Sequence, residues 1–187
     1  ASSYDAVVSG VKSLIDRYDF IDKDRIALNG HSWGGYQIAF LVTRTNMFKA
    51  AVSGAPVVNM TSAYGGIRWE SGKSRMFQYE QTQSRIGGTL WDKPAEFIRN
   101  SPLFFLPQVQ TPVLIMHNDK DGSVMWEQGI EFFMALRRLD KPVWLFNYKG
   151  EGHHLKKWEN RLDYSRRVME FYDYYLKDGK KPEWMKS

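Results

Sequence analysis

The sequence predicts an α/β fold in which a mostly parallel sheet is flanked by helices. Strand-like and helix-like segments alternate along the chain, which is the pattern of repeated βαβ units. The segment Val113–Met116 is a continuous apolar run, typical of a parallel strand buried on both faces. A glycine-rich turn at residues 30–35 joins a strand-like to a helix-like segment, as in many sheets of this class.

The first quarter of the chain supplies a helix, two strands and the helix between them. A first helix is predicted because Val7, Val11, Leu14 and Tyr18 recur at helical spacing. The segments that follow are a short buried strand, the glycine-rich turn, a helix and a second strand, at residues 25–29, 30–35, about 36–42 and 50–53.

The rest of the chain contains one irregular part and one regular part. Residues 57–111 have no clean period, and we expect an irregular helical excursion with a short helix opening near Pro94. The regular part alternates strand, helix, strand and helix, at Val113–Met116, 126–139, Val143–Phe146 and about 157–177.

Composition excludes several function classes. The 187 residues include no cysteine, so disulfides, zinc–thiolate sites and a cysteine nucleophile are excluded. No apolar run of about 18 residues is present, so we expect no membrane span. The net charge of +5 comes without a basic stripe interleaved with aromatics, so no nucleic-acid partner is expected. No targeting segment is recognised in these residues, which leaves the compartment open.

Residues 30–34 read Gly-His-Ser-Trp-Gly, the Gly-x-Ser-x-Gly pattern of a nucleophile elbow between a strand and a helix. We expect Ser32 to hold a strained backbone, with its hydroxyl projecting above the sheet edge. Gly30 and Gly34 are expected because Cβ atoms there would collide with backbone. The N–H of Trp33, at the start of the helix, is the expected oxyanion donor. A phosphate-binding glycine turn is the alternative, but no Gly-Lys-Ser/Thr follows.

An acid and a base follow the next two predicted strands. Asp121 comes after the third strand and His153 after the fourth, so the order is Ser, Asp, His, as in α/β-hydrolases. A serine alcohol needs such a base, and the base needs an orienting carboxylate. Asp119 and His154 are the neighbouring alternatives for these two roles.

Other polar residues near these loops receive structural interpretations. His31 and His117 are expected to pack or hydrogen-bond beside the elbow and the acid loop, and Glu151 to be a loop carboxylate. The pair His153-His154 suggests metal ligands, but adjacent loop residues seldom face one ion and no His-Glu-x-x-His helix exists. We therefore expect no metal and no cofactor.

Three segments together resemble the catalytic domain of the prolyl oligopeptidase family. They are Gly-His-Ser-Trp-Gly-Gly-Tyr at residues 30–36, His-x-x-x-Asp-x-x-Val at 117–124 and Gly-Glu-Gly-His at 150–153. The resemblance extends over nearly the whole chain and implies an α/β-hydrolase fold.

The resemblance assigns one residue to each catalytic role. It implies that Ser32 is the nucleophile, Asp121 the acid and His153 the base, each preferred over its neighbour. Two positions depart from the family pattern, since Asn118 stands where glycine is usual and Trp33 where tyrosine is common. Neither departure removes a catalytic group.

The implied activity is that of a serine-type peptidase, which hydrolyses short peptides through an acyl-enzyme. By the same resemblance, Met60, Tyr64 and Trp69 in the excursion are candidates for an apolar pocket wall, although they could equally be ordinary core or surface residues. A carboxylesterase or lipase of the same fold, or a non-catalytic binding module, are the alternative functions.

A full α/β-hydrolase sheet has more strands than the four predicted here, and in the family the elbow follows the fifth. We therefore expect residues 1–187 to be the C-terminal portion of a peptidase domain, with the early strands, a second oxyanion donor and a β-propeller upstream. The edge of the strand at 25–29 would then be free, and the fragment would self-associate and be weakly active.

Overall fold

The structure is a computed structural model that describes residues 2–186. The helices and strands follow one another along the chain as α1 (Ser2–Arg17), β1 (Ala27–His31), α2 (Trp33–Val42), β2 (Ala50–Gly54), α3 (Met60–Tyr64), β3 (Ile67–Arg68), β4 (Lys73–Ser74), α4 (Pro94–Arg99), β5 (Val113–Met116), α5 (Trp126–Arg138), β6 (Val143–Phe146) and α6 (Trp158–Leu176).

The central sheet has the strand order β1-β2-β5-β6, and all three strand pairs are parallel. In parallel sheets the carboxyl ends of the strands lie at one edge, where loops meet. The loops after β1, β5 and β6 carry the predicted nucleophile, acid and base. The predicted α/β class is confirmed.

Side chains of alternate strand residues pack on opposite faces of the sheet. Ile115 of β5 lies in a buried cluster with Leu41 of α2 and Phe132 of α5. Leu114, the preceding residue, packs in a second cluster with Phe171 of α6. Both faces are therefore covered by helices, which explains why β5 is apolar at every position.

Two details of the predicted elements need correction. The predicted apolar face of the first helix is only partly buried, since Leu14 is 48% exposed and Tyr18, just beyond the end of α1, is 39% exposed, whereas Val8 is buried. The first strand begins later than expected, at Ala27, and continues to His31, directly before the elbow.

The excursion is less helical than expected. It contains the small antiparallel hairpin of β3 and β4, which the sequence analysis did not predict, together with a π-helical turn and a 3-10 segment. The short helix at Pro94 is confirmed as α4.

The outer edge of β1 has no strand partner among the described residues, since β1 pairs only with β2. A free edge of this kind can pair with another chain. Within residues 2–186, none of the helices has the length and apolar character needed to cross a membrane.

Candidate active site

The turn between β1 and α2 holds Ser32 in a strained conformation. Its backbone has φ 60° and ψ −118°, a region that residues with a Cβ seldom adopt. The Ser32 N–H donates to the Gly54 carbonyl of β2 at 2.8 Å, and its own carbonyl accepts from the Tyr36 N–H at 3.0 Å. Trp33 is the first residue of α2, so its N–H has no partner within the helix. The expected strain at Ser32 is confirmed.

Two glycines allow this turn to form: Gly30, as predicted, and Gly35 in place of the predicted Gly34. A Cβ on Gly30 would lie 2.6 Å from the Gly34 carbonyl oxygen, as expected. A Cβ on Gly34 would meet nothing within 4 Å, so the predicted collision at Gly34 is wrong. The close approach is at Gly35 instead, whose Cβ would lie 2.2 Å from the Gly54 carbonyl oxygen. Gly35 is therefore what lets α2 pack directly on β2.

The carboxylate of Asp121 is buried in the loop after β5 and fully hydrogen-bonded. Its Oδ1 accepts the N–H groups of Ser123 and Val124, both at 2.8 Å. Its Oδ2 lies 2.8 Å from His153 Nδ1 and 3.4 Å from His117 Nε2. The side chain of Asp121 thus faces two imidazoles at once.

Hydrogen bonding keeps this carboxylate ionised. Burial by itself would raise the pKa of Asp121, but the hydrogen bonds from His117, His153 and the Val124 N–H outweigh it and hold the pKa well below its usual range. A carboxylate accepts only, so His153 Nδ1 carries the proton, and in the neutral ring Nε2 is then the nitrogen with the lone pair. That is the tautomer in which a histidine can act as a base.

Asn118 joins the loop after β5 that carries Asp121, here called the acid loop, to the loop after β6 that carries His153, here called the histidine loop. Its amide Nδ2 donates to the Gly152 carbonyl at 2.8 Å, and its Oδ1 accepts the Tyr148 N–H at 3.0 Å. In the sequence this residue stood out only as a departure from the family pattern. The structure gives it a bridging role that glycine could not perform.

Glu151 holds in place the short segment that leads into α6. Although buried, its carboxylate accepts the N–H groups of Lys156 and Lys157 at 2.8 and 2.9 Å and the Asn160 amide at 2.7 Å. These hydrogen bonds, the one from the Lys156 N–H first, lower the pKa of Glu151 below its usual range. The carboxylate therefore holds the loop that carries His153.

The β3–β4 hairpin lies against the acid loop, and this contact was not predictable from the sequence. Arg75, buried beside this hairpin, donates to the Ser123 carbonyl. The Ser123 hydroxyl donates to Glu70 Oε2 at 3.3 Å, and the Glu70 N–H donates to the Gly122 carbonyl at 3.4 Å. Arg75 and Ser123 are 48 residues apart in the chain, so no local pattern could have linked them.

The neighbouring candidates are placed differently from the preferred ones. Asp119 accepts the Gly150 N–H at 2.7 Å, whereas Asp121 contacts His153. His154 is exposed, and its ring lies 4.7 Å from that of His31. Burial, followed by the nearby imidazoles of His153 and His154, lowers the pKa of His31 to about 4.

Of the three residues proposed for the pocket wall, Met60 and Tyr64 share a buried cluster, whereas Trp69 lies outside it. Tyr64 is 2% exposed within an aromatic cluster, while Trp69 is 71% exposed at the tip of the hairpin. Met60 is buried and lines a small cavity of about 110 Å³ together with Trp33 and Tyr36. Of the three, only Met60 lies beside the nucleophile turn, and a shared pocket wall stays a prediction.

Comparison with known proteins places this chain in a family. A model described as the prolyl oligopeptidase family matches residues 1–179. The chain belongs to the prolyl oligopeptidase family. The uncharacterized peptidase YuxL of Bacillus subtilis is 31% identical over 158 residues, covering 82% of this chain and 22% of that protein. The acylamino-acid-releasing enzyme of Rattus norvegicus is 29% identical over 147 residues, covering 78% of this chain and 20% of that enzyme.

A solved structure supports the fold. The acylaminoacyl peptidase of Pyrococcus horikoshii superposes with a TM-score of 0.83 at 21% identity, covering 98% of this chain and 29% of that one. The parallel sheet and its helices are thus those of an α/β-hydrolase. The chain spans 29% or less of the length of each of these proteins.

Proposed function

We propose that this chain carries the catalytic residues of a serine-type peptidase that hydrolyses short peptides through an acyl-enzyme. The observation that supports it most strongly is the 2.8 Å contact between Asp121 and His153, at the sheet edge where the strained Ser32 turn also lies. Membership of the prolyl oligopeptidase family supports the same chemistry.

In the proposed mechanism, acylation begins when Ser32 Oγ attacks the scissile carbonyl carbon. His153 Nε2 accepts the hydroxyl proton, and the Asp121 carboxylate stabilises the imidazolium that forms. The N–H of Trp33 faces the developing oxyanion. When the tetrahedral intermediate collapses, His153 returns its proton to the leaving amine, and the acyl group stays on Ser32.

Deacylation repeats these steps with water as the nucleophile. His153 Nε2 removes a proton from the water as it attacks the acyl carbonyl, and then gives that proton back to Ser32 Oγ. The acid product leaves and the free serine is restored. Asp121 stays ionised throughout, consistent with its depressed pKa.

The proposed substrate class is short peptides with a scissile amide near one end. The support is the name of a relative, an acylamino-acid-releasing enzyme, since release of a single acylated amino acid is a cleavage of this kind. Hydrolysis of peptide amides, compared with hydrolysis of simple esters by the same preparation, separates a peptidase from an esterase of the same fold.

Labelling with a fluorophosphonate probe tests the proposed nucleophile. The probe is expected to modify Ser32, located by mass spectrometry, with no labelling in Ser32→Ala. Asp121→Asn should slow labelling by up to about 10⁴-fold, because the base loses its orienting carboxylate. Ser9→Ala, an exposed serine on α1, is the matched control and should label normally. Labelling that persists in Ser32→Ala, or that never occurs in the unaltered chain, would overturn the proposal.

A further inference from the structure

Three imidazole rings form a nearly equilateral triangle beside the Ser32 turn. The ring centroids are 4.8 Å apart for His31 and His153, 4.7 Å for His31 and His154, and 4.8 Å for His153 and His154. One ring nitrogen from each residue lies within 4.8 Å of the other two. In the sequence only His153 and His154 are adjacent, and the third ring comes from the end of β1.

The ring nitrogens needed for a ligand are free in two of these residues. His153 uses Nδ1 to donate to Asp121, which leaves the Nε2 lone pair available. His31 Nε2 is buried and has no hydrogen-bond partner within residues 2–186. A buried polar atom without a partner lowers stability, and a ligand would remove that penalty. His154 is exposed, so an ion could reach the cluster from solvent.

We propose that His31, His153 and His154 chelate a divalent transition-metal ion of the Zn²⁺ type. Imidazole nitrogen suits zinc, copper and nickel, whereas magnesium and calcium prefer oxygen. Three histidines with a fourth position left to water or substrate are an established zinc arrangement.

The geometry fits after a small adjustment. Zinc–nitrogen bonds of 2.0–2.1 Å in a tetrahedron place the nitrogens about 3.4 Å apart, so the rings must close by up to about 1.4 Å. The His154 ring has the most freedom to move, because it is exposed on a loop and is not held by the hydrogen bond that fixes His153; the separation of His31 and His153 closes by a smaller shift of the two loops.

The hydrogen-bond partner that a metal-bound histidine needs is already present. Metal-ligating histidines usually donate their other ring N–H to a carboxylate, which fixes the ring and raises its basicity. His153 donates to Asp121 Oδ2 at 2.8 Å in this way. The same hydrogen bond that would prepare His153 as a base also prepares it as a ligand.

Metal binding would therefore inhibit the enzyme reversibly, a consequence that rests on the proposed function. An ion on His153 Nε2 occupies the lone pair that must accept the Ser32 proton. His31, the residue before Ser32, would at the same time anchor the ion next to the nucleophile. Removing the metal restores the base without any covalent change.

Direct binding of the metal tests the site without any use of activity. Titration of the chain with ZnCl₂ by isothermal calorimetry should give one ion per chain, and Co²⁺ should give the visible absorption of a tetrahedral site, with no binding of Mg²⁺. Loss of an outer-shell partner costs about 10–100-fold in metal affinity, and loss of a direct ligand costs more. We therefore expect His154→Ala to weaken Zn²⁺ binding by about 100-fold or more.

Lys156→Ala is the matched control, since this exposed side chain lies in the same loop, and Zn²⁺ affinity should be unchanged. His31→Gln should weaken binding as His154→Ala does, with circular dichroism confirming that both variants fold. No saturable Zn²⁺ binding, or binding that His154→Ala leaves unaltered, overturns the proposed site.

Fluorophosphonate labelling with and without Zn²⁺ tests the inhibition. Labelling of Ser32 should fall as Zn²⁺ saturates the site and return on addition of EDTA. Zn²⁺ binding with no change in the labelling rate overturns the inhibitory role but not the site. Absence of labelling in the chelator-treated chain overturns the proposed function, whereas the calorimetric result still decides the metal site.

Discussion

Replacement of Gly35 by alanine should destabilise the protein, whereas the same change at the adjacent Gly34 should not. Both glycines lie in the first turn of α2. A Cβ on Gly35 would lie 2.2 Å from the Gly54 carbonyl oxygen, and a Cβ on Gly34 would meet nothing within 4 Å. The two variants therefore add the same methyl group to the same helix, and only one of them collides with the sheet.

The size of the effect follows from the contacts at Gly35. The 2.2 Å approach is more than about 1 Å shorter than an ordinary carbon contact, and overpacking of this kind costs about 1–3 kcal/mol. Moving α2 away also strains the hydrogen bond from the Ser53 hydroxyl to the Gly35 carbonyl, which contributes about 1 kcal/mol. The helix preference of alanine returns about 0.5–1 kcal/mol, so the free energy of unfolding should fall by about 1–3 kcal/mol.

Urea unfolding followed by tryptophan fluorescence and circular dichroism measures this difference. Gly34→Ala should unfold at the same urea concentration as the unaltered chain or slightly higher. Gly35→Ala should also label more slowly with the fluorophosphonate probe, because Gly54 accepts the Ser32 N–H. Equal stability of the two variants would show that α2 does not need a glycine where it touches β2.

Four further predictions concern other parts of the molecule. Phe132→Ala, at the fully buried centre of α5, should lower the free energy of unfolding by about 3–5 kcal/mol in urea titrations. Asn118→Ala should slow probe labelling by about tenfold at unchanged probe affinity, since the acid and histidine loops lose the side chain that joins them. Burial raises the pKa of Asp163, but hydrogen bonds, led by the one from Arg167, outweigh it and lower the pKa below 3.8. The free energy of unfolding should therefore fall as the pH drops below about 4, and it should fall less steeply in Asp163→Asn. Self-association through the free edge of β1 should appear in light scattering and decrease in Asn29→Lys, an exposed position on that strand.

Much of the fold was predictable because short-range patterns determine it. The apolar run Val113–Met116 is typical of a buried strand, and Ser32, Asp121 and His153 each come just after a predicted strand. Parallel pairing then brings such loops to one edge of the sheet. The contact between Asp121 and His153 agrees with the choice that the family resemblance makes over Asp119 and His154.

The remainder depended on contacts between segments far apart in the chain. Nothing near Gly35 in the sequence reveals that the Gly54 carbonyl lies against it, so the sequence predicts a Cβ collision at Gly34 instead. The contact of Arg75 with the acid loop and the convergence of His31 with His154 are of the same kind. The sequence also could not show that Tyr64 is buried and Trp69 exposed, because an aromatic residue in an irregular segment gives no periodic signal of the face it occupies.

The irregular excursion has an evolutionary consequence that follows from the sheet register. It leaves the sheet at Gly54 and returns at Val113, in adjacent strands whose pairing, Gly54 with Met116 and Ala51 with Val113, is fixed independently of what lies between. Doubling the length of a closed loop costs only about 0.6 kcal/mol. Insertions and deletions can therefore accumulate at exposed positions of the excursion, such as residues 91–93, while Arg75 and Glu70 keep their contacts with the loop that carries Asp121. Those exposed positions are free to diversify and could accept a new recognition element.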